Sequence, residues 1–149
     1  MRMKRFRFQL EPVLNYKQQS LESLLVELDM IQGQVMAQEF RRDEAYQRVA
    51  DYAAEYLQKK QTGITVVEAM EYETCQQVLE RRARLENDKL AELKIAEEKK
   101  RGQVIDARLE TKSLEKLKDL RRNEYDAAAA KAEEKFLDDL TASRRQQAG

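Results

Sequence analysis

Lys59-Lys60-Gln61-Thr62-Gly63-Ile64-Thr65-Val66-Val67-Glu68 decides the fold of this 149-residue chain. Lys59 and Lys60 suit the negative C-terminal end of one helix. Thr65 and Glu68 have the spacing of a capping box, in which the hydroxyl bonds the N–H three residues on and the carboxylate reaches back. Gly63 lies between the two signals. Elsewhere the chain is permissive for helix. Its only proline is Pro12, and a proline inside a helix costs roughly 3 kcal/mol. The expected fold is all-α: two long helices form an antiparallel coiled-coil hairpin with a C-terminal helical overhang. Its parts are a basic-aromatic arm over residues 1–11, helix over 12–61, a turn at 62–65 and helix over 66–146.

Working outward from the turn, the first helix carries Leu14, Leu21, Leu24, Leu28, Ile31, Val35, Ala45, Val49, Tyr52 and Tyr56 at alternating steps of three and four. That is a coiled-coil seam, with polar exceptions at Lys17, Gln38 and Arg42. Pro12 and acidic Glu11 suit its N-terminal end, whereas Gly33 weakens it by about 1 kcal/mol relative to alanine. The second stripe is less regular. Val78 and Leu85 hold one register, while Leu93, Ala96, Ala107, Leu114, Leu117 and Ala128 hold another, which predicts a stutter in the supercoil. Turning at Gly63 places residue n opposite roughly 127 − n, so the second helix outruns its partner beyond Leu117. The overhang carries Leu120, Tyr125, Ala127 to Ala130, Phe136, Leu137 and Leu140, and an apolar helix of this kind wants a partner. The bland alternative is a frayed tail.

Composition excludes several functions. Charged residues make up 38% of the chain, but 28 basic side chains balance 28 acidic ones and leave no basic stripe for nucleic acid. Glu44/Arg48, Glu55/Lys59, Glu80/Arg84 and Glu97/Arg101 have the favourable order for ion pairs one helical turn apart. The chain has no histidine, and its glycines are isolated, so no phosphate-cradling loop exists. Carboxylates on a two-stranded rod face water and do not converge in a dry pocket. No enzyme, cofactor, metal or small-molecule substrate is expected. Cys75 is the single cysteine; it forms no intramolecular disulfide, fits a reducing compartment and reads as a small, partly buried apolar residue. Neither a signal peptide nor a membrane span is expected.

The opening Phe6-Arg7-Phe8-Gln9-Leu10-Glu11-Pro12-Val13-Leu14, then Tyr16-Lys17 and Glu22, resembles the start of the flagellar export protein FliJ family. Leu114-Glu115-Lys116-Leu117-Lys118, Tyr125, and Glu133-Glu134-Lys135-Phe136-Leu137-Asp138-Asp139 are similar to its far end. The resemblance implies a cytoplasmic, non-enzymatic component of the flagellar type III export apparatus, associated with the inner membrane through that apparatus. It further implies a stalk whose open end enters the hexameric export ATPase FliI, whose shaft touches the export-gate protein FlhA, and which in some members escorts export chaperones. The ATPase-binding candidates are Phe6, Phe8, Leu10, Leu14, Leu120, Tyr125, Phe136 and Leu137. The export-gate candidates implied by the resemblance are Tyr52, Tyr56, Tyr72 and Leu79, with Cys75 where an aromatic can occur. Tyr52 and Tyr56 also lie on the seam, so packing is an equal reading of both.

Three alternatives stand beside this one. A parallel dimer of one continuous helix would approach 200 Å, against roughly 120 Å for the hairpin. The stalk of a virulence type III secretion system shares the fold, and the Leu10–Leu14 opening favours the flagellar member. An arm of Arg2 to Phe8 is too short to anchor stably at anionic lipid.

Overall fold

The computed structural model describes residues 4–148, so the part of the arm that includes Arg2 lies outside the described residues. Two α-helices, α1 (Glu11–Thr62) and α2 (Val66–Ala148), pack against each other as a hairpin. α1 ends as its sequence requires. The Gly63 N–H donates to the Lys59 carbonyl at 3.0 Å, and Gly63 has φ 108°, a left-handed conformation that glycine adopts without steric cost. The Thr65 hydroxyl then accepts the Glu68 N–H at 3.2 Å and caps α2. At the other end the first helical bond runs from the Leu14 N–H to the Leu10 carbonyl. Pro12 is therefore the second helical residue, still within the first turn, where no N–H has an intrahelical partner.

The chain forms two compact units. The turn-proximal unit, Ser23–Val104, is held by a thin seam in which Val35, Tyr56, Ala83, Leu90 and Val104 are buried. Gln38, a seam position, is also buried; its amide donates to the Glu86 backbone carbonyl at 2.9 Å and to the Glu86 carboxylate. In the second unit, residues 4–22 with 105–148, Leu14 and Thr111 are buried, and the Thr111 hydroxyl returns its proton to the Ala107 carbonyl. Register follows the expected rule in both units. Glu27 with Lys100, Glu55 with Tyr72, and Lys17 with Glu110 are cross-helix pairs whose residue numbers each add to 127. The exposed Lys100–Glu27 and Lys17–Glu110 ion pairs, both 2.7 Å, fix alignment more than they stabilise.

α2 departs from its expected pattern. Val78 and Leu85 are 62% and 54% exposed, and Ala96 and Ala128 also face outward. Half-buried Glu80 and Leu117 flank a seam that runs instead through Ala69, Tyr72, Gln76, Leu79, Ala83, Glu86, Leu90, Leu93, Glu97, Lys100, Val104, Ala107, Thr111, Leu114 and Lys118. They alternate in steps of three and four throughout, so the heptad is unbroken and there is no stutter. Of the expected pairs within one helix, Arg48–Glu44 and Arg101–Glu97 form. Glu55 and Glu80 accept instead from Tyr72 and Gln76.

The Gln38–Glu86 pair yields a pH prediction. Its hydrogen bond from Gln38 holds the Glu86 carboxyl below the usual 4.5, and burial opposes that shift. A carboxyl depressed on folding contributes stability that is complete above its unfolded pKa and is lost as the pH falls through the folded pKa. Gln38→Leu should therefore lower the melting temperature near neutral pH and shrink the gap from the wild type as the solution is acidified. Thermal melts across that acidic range check it; a gap independent of pH would reject the role given to the pair.

Candidate functional site

Two surfaces gather the residues singled out from the sequence. The first lies at the open end of the hairpin. The arm does not project freely but runs back along α2. Phe6 packs on Tyr125 with ring centroids 5.6 Å apart, the Tyr125 hydroxyl donates to the Lys4 carbonyl, and Arg122 sits over the Phe6 ring. Lys118 ties Glu11 at 2.9 Å. Between arm and helix runs a groove whose lining includes Lys4, Arg5, Arg7 and Arg121 with Phe6 and Phe8, and no carboxylate. The arm thus covers the beginning of the expected overhang. Ala132 is the last half-buried residue of α2, and every residue from Glu133 to Ala148 is exposed.

The second surface lies near the turn. Tyr72 stacks on Tyr56 at 5.0 Å with an interplanar angle of 10° and lies 5.3 Å from Tyr52, so three aromatic rings from both helices form one cluster. Tyr56 is 5% exposed, and Lys60 covers its ring at 3.9 Å. Tyr52 and Tyr72 are half-buried. Burial, reinforced by a hydrogen bond with the Cys75 thiol, pushes the Tyr52 hydroxyl up to about 12. Burial and then the Glu55 carboxylate raise Tyr72. Both phenols stay protonated at neutral pH, and that of Tyr72 donates to Glu55. Cys75 itself is exposed, contrary to its expected partial burial, because it lies one residue short of the seam position Gln76.

A family model described as "Flagellar FliJ protein" matches residues 6–149. The chain belongs to the FliJ family. No curated protein and no solved structure matches it. Membership in the FliJ family makes it a non-enzymatic component of the flagellar export apparatus. Among the described residues no helix is long and apolar enough to cross a membrane, and no group of His, Cys, Asp or Glu could hold a metal ion.

On this FliJ-family hairpin the eight ATPase-binding candidates divide by exposure. Leu120, Phe136 and Leu137 are 55%, 49% and 55% exposed, and Leu10 lies at the rim of the groove. Phe6, Phe8 and Tyr125 are half-buried where the arm meets α2. Leu14 is different: at 3% exposure it lies in the seam. Leu79, one heptad beyond Tyr72, is half-buried and lines a separate shallow groove with Arg41, Arg48 and Arg82. Its sequence spacing gave no hint of these three cations, since Arg41 and Arg48 come from the other helix; the 127 − n rule supplies the signal.

Proposed function

We propose that this chain is a stalk of the flagellar export apparatus: its open end inserts into the hexameric ATPase FliI and its turn-proximal face meets the export gate FlhA. The observation that carries the first contact is the exposed helix beyond Ala132, which presents Phe136, Leu137 and Leu140 to solvent. An exposed apolar face on a long helix marks an interaction site. A single asymmetric shaft inside a six-fold ring meets non-equivalent subunits, and contacts that favour one subunit conformation bias turnover. Family membership supports the apparatus as the setting, with a cytoplasmic location at the inner-membrane face. The aromatic cluster of Tyr52, Tyr56 and Tyr72, with Leu79 beyond it, supports the gate contact, in which Tyr56 holds the rings and Tyr52 and Tyr72 offer hydroxyls. Escort of export chaperones is a further role of the same exposed surfaces.

The test is a chain lacking residues 127–149. This cut keeps Tyr125 and hence the platform on which the arm rests. The shortened chain should remain helical by far-ultraviolet circular dichroism and lose its stimulation of the ATPase. Stimulation equal to that of the full chain would sink the open-end contact.

A further inference from the structure

The open end carries two exposed elements of opposite charge, and the chain contains both halves of a self-complementary contact. One is the groove between arm and α2, lined by Lys4, Arg5, Arg7 and Arg121 around the Phe6 and Tyr125 rings, with no carboxylate. The other is the segment Glu133-Glu134-Lys135-Phe136-Leu137-Asp138-Asp139-Leu140, acidic and apolar at once, all of it exposed. α2 is a continuous helix through Ala148, so the segment cannot fold back onto its own groove. A second copy can reach it.

We infer that two copies of this chain associate through their open ends, antiparallel along α2, with the acidic segment of each docked in the basic groove of the other. Tyr125, Ala129, Ala132, Phe136 and Leu140 continue the three- and four-residue spacing of the seam, so groove and segment share one face of the helix. A two-fold axis at Ala129 places residue n of one copy opposite 258 − n of the other. Ala129 then lies at the axis, where its small side chain permits close approach of the two helices. Phe136 lands against the Phe6–Tyr125 pair and under Arg122. Glu133 falls within one turn of Arg122 and Asp139 within one turn of Arg121, with Asp126 and Asp119 as the acidic neighbours that these two cations must outweigh. Because the contact is isologous, each complementary patch occurs twice and the assembly closes at two copies. This form conceals the end that the stalk reading gives to the ATPase. It needs no ATPase to exist, and its test uses the chain alone, so the two fail separately.

Sedimentation equilibrium of the full chain should show a monomer–dimer equilibrium that weakens as salt is added, because the exposed charge pairs are screened. A groove variant, Arg121→Glu with Arg122→Glu, and a segment variant, Glu133→Lys with Asp139→Lys, should each raise the dimer dissociation constant at least about tenfold through like-charge opposition. Mixed in equal amounts, the two should form a heterodimer, since both reversed patches then face opposite charge. Circular dichroism verifies that each variant is folded. In a Cys75→Ser background, Ala129→Cys should form an intermolecular disulfide under mild oxidation. Monomer at concentrations up to about 0.5 mM, far above the micromolar range of weak specific interfaces, overturns the proposal. So does a dimer that survives both reversals, a folded mixture that stays monomeric, or Ala129→Cys chains that do not cross-link.

Discussion

Tyr56→Ala should lower the stability of the turn-proximal unit by about 3–4 kcal/mol, the range for truncating a buried aromatic to alanine. The side chain is 5% exposed, stacks on Tyr72 at 5.0 Å and is capped by Lys60 at 3.9 Å. Its hydroxyl, 3.4 Å from a Glu73 carboxylate oxygen, adds little at that distance. The loss is large because the seam is thin: few other residues of the unit are equally buried, and a two-helix rod has no second layer to collapse into the gap. Thermal or urea unfolding by circular dichroism checks it, and a stability change below about 1 kcal/mol would show that the ring is not part of the packing. Truncating Tyr52 and Tyr56 together is for the same reason a poor test of the gate contact. Unfolding would mask lost binding. Tyr52→Phe, which removes only the hydroxyl beside Cys75, asks the binding question of an intact hairpin.

How far the sequence carried differs between the two helices. α1 was legible because Leu14, Leu21, Leu24, Leu28, Ile31 and Val35 fill its seam with apolar residues, and Lys17, Gln38 and Arg42 stand in the seam as the spacing requires. α2 was misread because its seam holds Gln76, Glu86, Glu97, Lys100 and Thr111. Long polar side chains lay their stems along the partner helix and carry their heads to its edge, so a position can be buried without being apolar. Conversely, Val78, Ile95 and Leu109 are apolar yet 62%, 71% and 60% exposed. Judged by apolarity alone, α2 yields a false stutter. Judged by what lies across the seam, Glu86 meets Gln38 within one turn of 127 − n and Lys100 meets Glu27 at 127 − n itself, and the heptad closes.

At the open end the sequence named candidate residues but not their mutual contacts. Phe6, Phe8 and Leu10 alternate with Arg7 and Gln9, which gave an extended arm but no direction for it. The missing signal was geometric. Extended chain advances about 3.3 Å per residue against 1.5 Å in a helix, so seven residues before Glu11 reach well past the point where α1 stops. The arm therefore covers α2 to Tyr125, and the bare helix is shorter than a count of helical residues alone suggested.

Leu14→Ala and a Phe136→Ala/Leu137→Ala pair should separate support from contact at that end. Leu14 is 3% exposed within the first turn of α1, so its truncation should cost about 2–3 kcal/mol, toward the low side for buried leucine because water reaches both flanks of a two-helix seam. Phe136 and Leu137 are about half exposed and touch no part of α1, so replacing them should change stability by less than about 0.5 kcal/mol. Function should run the opposite way. Kept well below its melting temperature, Leu14→Ala should still stimulate the ATPase, because the exposed face beyond Ala132 is intact. The Phe136/Leu137 variant should melt as the wild type does and stimulate poorly, since an apolar contact in the ring would lose both side chains. Melting curves with ATPase rates on the same preparations decide between them. If Leu14→Ala abolished stimulation while melting normally, Leu14 would be a contact, and its burial in the seam would have to be relieved when the stalk enters the ring.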